Sequence, residues 1–392
     1  MKKGSFQWME SLNRSIVLNK IRVGGPISRA EIARDTKLTP PTVSKLVSEL
    51  LSSELIMESE IGESLGGRKP TMLIINSDRF FVIGLDIGTK SVRGTLTNLT
   101  GELIEHNHCP IPKLITNDTL VILIKNVISQ LISAHEDIEV IGIGVGMHGA
   151  VDVDNGIALY APMLNLKNVM LKSELELAFD LPVIVDNDVR AMAFGEYWYA
   201  HGESNENMVT VNLGHGVGAG IISNGKLFHG EHDLAGEIGH MTVDLSGKQC
   251  SCGNIGCWQT LVSGPAIADE AKLALARGRI SILENKDLEG KTVYDAAVAG
   301  DLLAIEILSK TGEYIGIGLT NLIHILNPEK IIIGGGVSGA SKFILQNIKE
   351  AIKNRGLTEQ ARSTEIFCSN RGPYSTAMGA ASLMLANVFL EN

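Results

Sequence analysis

Four residues in the second half of the chain have the types and spacing of a metal site: His240, Cys250, Cys252 and Cys257. One imidazole and three thiolates form a soft ligand set that favours Zn²⁺ in a closed tetrahedral site. Gly253 and Gly256 allow the loop between the cysteines to turn tightly. Since Cys109 and Cys368 stand alone, a disulfide framework is disfavoured. The pattern predicts a structural zinc ion, and three reduced thiols without metal are the alternative.

A second group of polar residues follows an apolar run that ends in VDND. Asn187 and Asp188 stand at the end of this strand-like segment, just before a helical one. A carboxylate there can accept a hydroxyl proton, and the neighbouring amide can both donate to and accept from adjacent hydroxyls. The pair predicts a sugar-binding position, and helix capping is the alternative.

A third stretch, GLDIGTKSVRG from Gly84 to Gly94, has the form of a strand followed by a tight turn. Asp-x-Gly-Thr in this setting is typical of a turn that binds ATP phosphates. The stretch therefore raises the question of whether the protein phosphorylates a ligand or senses it.

The segments that must position these residues alternate between apolar, β-branched runs and helical stretches such as 118–134 and 301–326. This alternation predicts an α/β body with largely buried sheets. Two similar strand pairs, at 82–107 and 208–230, indicate an internal duplication. We expect two similar lobes with a ligand-binding cleft between them.

The N-terminal segment has the signals of a helix-turn-helix. Ser28 with Glu31 forms a capping box, and Thr39 followed by Pro40 marks a second helix start. The predicted shared core is Ala30, Ile32, Ala33, Leu38, Val43, Leu46, Val47 and Leu50. The predicted DNA-facing residues of the second helix are Pro41, Thr42, Ser44 and Lys45.

Two alternating strands, LIMESEIG and KPTMLIIN, follow these helices and are joined by a glycine-rich loop. The loop carries Arg68 and Lys69, and a flexible basic loop of this kind suits the narrow, negative minor groove of DNA. We therefore predict a winged helix-turn-helix that binds DNA. A three-helix protein-interaction module is the alternative.

Charge is divided unevenly along the chain. Residues 1–75 contain eleven Lys and Arg against eight Asp and Glu, a net charge of +3. Since the whole chain has a net charge of −10, the remaining residues have a net charge of −13. A basic head on an acidic body suits a DNA-binding head. Chance variation in a short segment is the alternative.

No apolar run is long enough to cross a bilayer, and the first residues lack the apolar core of a signal peptide. We therefore expect a cytoplasmic protein with no membrane partner.

These motifs occur in an order that resembles the ROK family of repressors, open reading frames and sugar kinases. The most specific element is Glu237-Ile238-Gly239-His240 followed by the cysteine cluster, and the resemblance extends from about residue 12 to 385. It implies a winged helix-turn-helix joined to an actin-like, ribonuclease H-like two-lobed body, as in sugar kinases, Hsp70 and actin. The expected divisions are a DNA-binding domain at 1–78, a first lobe at 79–195 with the C-terminal helix 380–392, and a second lobe at 196–379.

The resemblance also assigns roles in sugar binding. In kinases of the family, the residue matching Asp188 is the catalytic base, which we expect to be vestigial here. The expected sugar-binding residues are Asn187, Asp188, Glu237, His240, Gly149, Ala150 and Gln259. His240 would bind zinc through one ring nitrogen and face the sugar with the other. The family usually has Glu where Gln259 stands, so sugar preference is expected to differ from that of glucose kinases.

Both phosphate-binding loops depart from the kinase pattern. When the first loop is aligned with the kinase motif without a gap, Thr89 and Lys90 stand where the kinases have Gly and Thr. In the second loop, Gly-x-Gly-x-Gly at 214–218, His215 replaces a small hydroxyl residue. We therefore predict a sugar-responsive transcriptional repressor of carbohydrate genes rather than an enzyme. Operator DNA and a sugar or sugar phosphate are its expected partners, and the family implies a homodimer or homotetramer.

Two other functions remain open at this point. One is an ATP-dependent sugar kinase with a regulatory head, since Asp188 is present. The other is a sugar sensor whose head binds a transporter or another protein. The sequence leaves the identity of the sugar and of the operator open.

Overall fold

The computed structural model describes residues 3–61, 70–135, 138–199 and 206–390. The chain forms two compact units, one of Met1–His201 with Pro373–Asn392 and the other of Gly202–Gly372. The first unit thus contains the N-terminal helices, the first lobe and the last helix of the chain.

The helices, in chain order, are α1 Lys3–Gly24, α2 Arg29–Thr36, α3 Pro40–Ser52, α4 Asn117–Ser133, α5 Leu171–Phe179, α6 Asp188–Tyr199, α7 Gln259–Val262, α8 Gly264–Ala276, α9 Gly290–Val298, α10 Leu302–Leu326, α11 Ser341–Arg355, α12 Glu359–Arg362 and α13 Ser375–Phe389. The strands are β1 Ile27–Ser28, β2 Ile56–Ile61, β3 Thr71–Ile75, β4 Phe80–Ile87, β5 Ser91–Asn98, β6 Leu103–Pro110, β7 Glu139–Met147, β8 Ala150–Asp152, β9 Ile157–Ala161, β10 Leu166–Val169, β11 Val183–Asn187, β12 Met208–Leu213, β13 Val217–Ser223, β14 Lys226–Leu227, β15 Lys330–Gly334 and β16 Glu365–Cys368.

The N-terminal helices begin where their capping signals predict. The Ser28 hydroxyl accepts from the Glu31 N–H at 3.3 Å, and the Glu31 carboxylate accepts from the Ser28 N–H at 2.9 Å, which confirms the capping box. Thr39 caps α3 in the same way, accepting from the Thr42 N–H at 3.4 Å. After α3, β2 and β3 pair antiparallel, and β1 extends their sheet in the order β1-β3-β2.

Most of the predicted core of this head is buried, with two exceptions. Val43, Val47 and Leu50 of α3 are fully buried. Ala30, in contrast, is exposed, and Leu38 is only half-buried. Both line an open groove between α2 and α3, together with basic and polar side chains of those helices, so the head's core excludes this side of α2.

Each body lobe contains a five-stranded mixed sheet, and the two sheets have the same topology. In the first, β4, β5 and β6 are antiparallel, while β7 and β11 lie parallel on the other side of β4, in the order β11-β7-β4-β5-β6. In the second, β12, β13 and β14 are antiparallel, and β15 and β16 are parallel to β12, in the order β14-β13-β12-β15-β16. The internal duplication predicted from the sequence is thereby confirmed.

The last helix of the chain completes the first lobe. Helix α13 begins at Ser375 rather than near residue 380, and it packs on β4 and β7. A Cβ atom on Gly84 would lie 2.0 Å from the Ala377 carbonyl oxygen, and one on Gly144 would lie 1.8 Å from that of Ala380. These glycines are required because the helix backbone contacts the strands directly. The lobe boundary expected at 195/196 falls inside α6, which is continuous to Tyr199.

Candidate functional site

Asn187 and Asp188 lie where β11 ends and α6 begins, as predicted. The Asn187 side-chain oxygen accepts from the N–H groups of Val189 and Arg190 at 2.9 and 3.2 Å, so it caps the helix. Its side-chain NH₂ donates to the Gly149 carbonyl oxygen at 3.0 Å. Capping therefore fixes the side chain of Asn187 and links it to the predicted contact region at Gly149 and Ala150.

Gly149 has a backbone conformation that glycine alone adopts readily, with φ of 99°. A Cβ atom there would lie 2.2 Å from the Tyr160 carbonyl oxygen. Ala150 then begins β8, which pairs with β9. The two residues thus form a tight turn whose carbonyl orients Asn187.

A charged cluster that the sequence did not predict surrounds Asp188. Its carboxylate lies 3.9 Å from His148 Nδ1, and the buried carboxylate of Asp86 is close enough to interact with it electrostatically. Burial, with the negative charge of Asp188, raises the pKa of Asp86 to about 7, although Arg93 counteracts this from 3.1 Å. The first lobe therefore places two carboxyl groups, a guanidinium and an imidazole together at this edge of its sheet.

Asp86 is the Asp of DIGT, a motif that the sequence pattern indicates only as a phosphate-binding turn. In the structure the Gly88 N–H donates to the Ser91 carbonyl at 3.1 Å and closes that turn. The register of β4 with β5 runs without a shift from Phe81 to Ile87. The alignment of Thr89 and Lys90 with the kinase phosphate loop stays a prediction.

In the second unit, Glu237 precedes a short 3₁₀ helix, Ile238–His240, of which His240 is the last residue. His240 Nε2 lies 4.0 Å from the Glu237 carboxylate, while Nδ1 lies 3.7 Å from Cys250 Sγ. The two ring nitrogens thus face different groups, as the double role predicted for His240 requires.

The four predicted metal ligands come together in this unit. The ligand atoms of His240, Cys250, Cys252 and Cys257 all lie within 4.8 Å of one another. Gly253 and Gly256 have φ of 94° and 73°, and a Cβ atom on Gly256 would lie 1.6 Å from the Asp244 carbonyl oxygen, which confirms their role in the tight turn. The group can hold one metal ion.

Burial opposes the thiolate of Cys250, but hydrogen bonds from the Cys252 backbone and from the Gln259 side chain prevail and lower its pKa. The Gln259 amide nitrogen donates to Cys250 Sγ at 3.1 Å. Gln259, predicted to contact sugar, thus contacts a predicted metal ligand.

The second glycine loop forms the turn between β12 and β13. The Gly214 N–H donates to the Gly216 carbonyl at 3.0 Å, and the Gly214 carbonyl accepts from the Gly264 N–H at 2.8 Å. His215 is exposed in this turn. A Cβ atom on Gly216 would lie 3.7 Å from the side-chain oxygen of Gln259. The amide of Gln259 thus lies beside this loop as well as beside the predicted metal ligand Cys250.

Three of the predicted DNA contacts are exposed on α3: Pro41, Ser44 and Lys45. The ammonium group of Lys45 lies 3.7 Å from Glu49, one turn further along. Thr42 is half-buried, and its hydroxyl is 2.8 Å from that of Thr39 at the start of the helix. Arg68 and Lys69 lie outside the described residues.

Within the described ranges, no helix has the length and apolar character that a membrane-spanning segment needs.

The chain is similar over nearly its whole length to two curated regulators. The xylose repressor of Bacillus subtilis (strain 168) is 30% identical over 382 residues, 96% of each chain. The DNA-binding transcriptional dual regulator NagC of Escherichia coli (strain K12) is 32% identical over 395 residues, 99% of this chain and 97% of NagC.

Two solved structures extend these similarities to the fold. One, a ROK family transcriptional regulator described as a homologue of the E. coli MLC protein, superposes with a TM-score of 0.87 at 30% identity and 97% coverage of both chains. The other, a ROK family glucokinase from Streptomyces griseus in complex with glucose and AMPPNP, has a TM-score of 0.69 at 30% identity and matches 77% of this chain and 98% of its own. Both support the actin-like, sugar-kinase type of fold predicted for the body. Residues 82–387 match the profile of the ROK family, and the chain belongs to that family.

Proposed function

We propose that the protein is a sugar-responsive transcriptional repressor of genes for carbohydrate uptake or catabolism. The observation that supports this most strongly is the end-to-end similarity to a xylose repressor and to NagC, which extends beyond the family profile at 82–387 into the head. A sugar or sugar phosphate bound by the body lowers the affinity of the head for its operator.

Residues 1–78 would form the DNA-binding domain, a winged helix-turn-helix. Helix α3 has a buried face and an opposite face on which Ser44 and Lys45 are exposed, as a helix in the major groove requires. The antiparallel strands β2 and β3 would form the wing, with Arg68 and Lys69 in its loop. The two lobes, expected at 79–195 and 196–379, are proposed with bounds that follow α6 and α13. The first lobe extends to the end of α6 at Tyr199 and includes α13, and the second ends before α13 begins at Ser375.

The proposed sugar-binding residues of the first lobe are Asn187, Asp188, Gly149 and Ala150. Those of the second are Glu237, His240 and Gln259. The capping bonds of Asn187 and the bond from Asn187 to the Gly149 carbonyl support the first set, because they fix the geometry before any sugar arrives. Asp188 then offers a carboxylate as hydrogen-bond acceptor for a hydroxyl group.

The metal is proposed to be a structural zinc ion held by the imidazole and the three thiolates. Sulfur ligands at about 2.3 Å from zinc stand about 3.8 Å apart at the corners of a tetrahedron. Cys252 Sγ and Cys257 Sγ are 3.7 Å apart, and Cys250 Sγ is 3.7 Å from His240 Nδ1, so the donor set fits the ion. When bound, zinc would supply a cross-link that fixes the loop behind Glu237 and His240.

A sugar kinase with a regulatory head is the second candidate, because Asp188 is present and a glucokinase shares the fold of the body. We favour a protein without kinase activity, since Lys90 and His215 stand in the two phosphate loops. Turnover of ATP with any tested sugar at high protein concentration would establish the kinase instead.

The test combines a thermal-shift screen with a gel-shift assay. The screen covers pentoses, hexoses, amino sugars and their 6-phosphates, because a bound sugar must stabilise the folded protein. The gel shift uses DNA from upstream of the protein's own gene at several salt concentrations. We expect salt-sensitive DNA binding that the stabilising sugar weakens. If this DNA is not bound at any salt concentration, the repressor proposal fails.

A further inference from the structure

A half-buried cation joins the head to the first lobe. The Arg22 guanidinium, at the end of α1, stacks over the Trp198 ring with 3.8 Å to its centroid and lies 5.8 Å from that of Phe389. Trp198 is 5% exposed and Phe389 is fully buried. The Arg22 Nε–H donates to Asn19 at 3.0 Å, which holds the guanidinium in place on its own helix.

The aromatic side of this contact is buried, unlike the exposed ion pairs of the head. Burial lowers the pKa of Arg22 to about 10, while Tyr197 and Tyr199 counteract it, so the guanidinium stays charged at neutral pH. A cation over an indole is most strongly attracted when it is removed from water. An ion pair between head and lobe, Arg79 with Glu54, is exposed and correspondingly weak.

Trp198 lies at the far end of the helix that begins at the proposed sugar site. Helix α6 runs from Asp188 to Tyr199, 12 residues, which is about 18 Å. Each residue from Arg190 to Glu196 is buried. One helix therefore has the sugar-binding carboxylate in its first turn and the ring beneath Arg22 in its last.

The packing of α6 favours movement as a unit. A Cβ atom on Gly195 would lie 2.7 Å from the Gly379 Cα, so α6 and α13 are in direct backbone contact. The Tyr199 hydroxyl donates to the Met378 carbonyl at 3.2 Å and fixes the C-terminal end of α6 to the same helix. Because tightly packed elements move as units, we expect a displacement at Asp188 to reach Trp198 through α6.

We propose that α6 transmits sugar occupancy to the head, and that the stack of Arg22 on Trp198 is the coupling contact. The proposal rests on the repressor function proposed above and identifies the residues that connect the sugar site to the head. The attraction between a cation and an aromatic ring depends on the position and tilt of the ring. A small displacement of α6, which carries Trp198, therefore changes the position of α1 relative to the lobe. Arg22 is then a coupling residue that touches neither DNA nor sugar.

The test compares the full-length protein with Arg22→Met, which keeps an unbranched side chain of similar helix propensity but removes its charge. Arg22→Lys keeps the charge and loses the planar stack, so it should be intermediate. Lys310→Met is the matched control, because it removes a cation–π contact with Tyr314 inside the second unit. The probe is whichever sugar in the thermal-shift screen stabilises the wild-type protein most.

Two quantities are measured for each variant: operator affinity with and without that sugar, and the thermal shift that the sugar produces. In the wild type and in Lys310→Met we expect the sugar to weaken operator binding by roughly 5- to 150-fold, the usual range of allosteric coupling. In Arg22→Met the effect should fall below about 2-fold, while sugar-free operator affinity and the sugar's thermal shift are retained.

The outcomes separate this inference from the proposed function. If no sugar changes operator binding by the wild type, the repressor proposal itself is refuted. If the wild type responds and Arg22→Met responds by the same factor, α6 does not couple to the head through Arg22. If Arg22→Met loses operator binding in the absence of sugar, Arg22 is needed for the fold of the head. The coupling role is then rejected unless Arg22→Lys binds operator and shows the reduced response to sugar.

Discussion

Replacement of Gly318 by Ala tests how the helical core supports the metal loop. Gly318 lies in α10, where a Cβ atom would stand 2.1 Å from Cε2 and 2.3 Å from Cζ2 of Trp258. Trp258 is completely buried and directly follows Cys257, one of the proposed metal ligands. Its indole N–H donates to the Tyr314 carbonyl at 2.9 Å, so the added methyl group must displace a ring that is already hydrogen-bonded.

The magnitude follows from three opposing contributions. Alanine gains about 1 kcal/mol over glycine inside a helix. Overpacking costs about 1–3 kcal/mol, and an indole N–H left buried without its acceptor costs about 1–3 kcal/mol more. The net loss is about 1–5 kcal/mol, and each kcal/mol corresponds to roughly 2–4 °C in Tm for a unit of this size.

The assay measures Tm together with the rate at which bound zinc passes to a colorimetric chelator. We expect Gly318→Ala to melt earlier and to release zinc faster, because displacement of Trp258 moves Cys257. Gly264→Ala is the control, since its Cβ atom would be 3.5 Å from the Gly214 carbonyl oxygen, an ordinary contact. Equal Tm values and zinc-release rates for the two variants would refute the reasoning.

Three further predictions concern the head, the sugar site and the buried carboxyl group. Lys45→Ala should weaken operator binding and reduce its salt slope by about 1 while leaving the sugar's thermal shift intact; unchanged binding in a salt titration would argue against α3 as the DNA-reading helix. Asp188→Asn should abolish the sugar's thermal shift but retain sugar-free DNA binding; a full shift would remove Asp188 from the site. Asp86 has a folded pKa of about 7, above the value of about 3.9 for an unfolded carboxyl group, so its contribution to stability is present below pH 4 and is lost as pH rises towards 7. Urea unfolding from pH 4 to 8 should show this decline in the wild type and a flatter profile in Asp86→Asn, and parallel profiles would contradict the raised pKa.

The sequence allowed much of the fold to be predicted because its signals are local. The capping residues Ser28 and Thr39 mark helix starts within three positions of themselves, and both helices begin there. The clustering of the predicted metal ligands was similarly recognisable, since Cys250, Cys252 and Cys257 are close in sequence and their chemistry is restrictive. Exposure of Ala30 was not foreseen, because it depends on which side of α2 the other elements cover.

Contacts between distant segments could not be predicted in this way. The cluster of Asp86, Arg93 and His148 around Asp188 combines strands from separate parts of the chain. The hydrogen bond from Gln259 to Cys250 could not be predicted, because it depends on the orientation of the Gln259 side chain, which is predicted to contact sugar. Arg22 on Trp198 joins residues 176 positions apart, and neither periodicity nor spacing indicates that pairing.

The position of α13 has a consequence for synthesis on the ribosome. The second unit is one continuous segment, Gly202–Gly372, and can fold as soon as it has emerged. The sheet of the first lobe is translated earlier, but Gly84 and Gly144 remain without the helix that covers them until residues 375–389 have followed. The unit translated first is therefore completed last, and its apolar sheet must be protected from wrong partners during that interval.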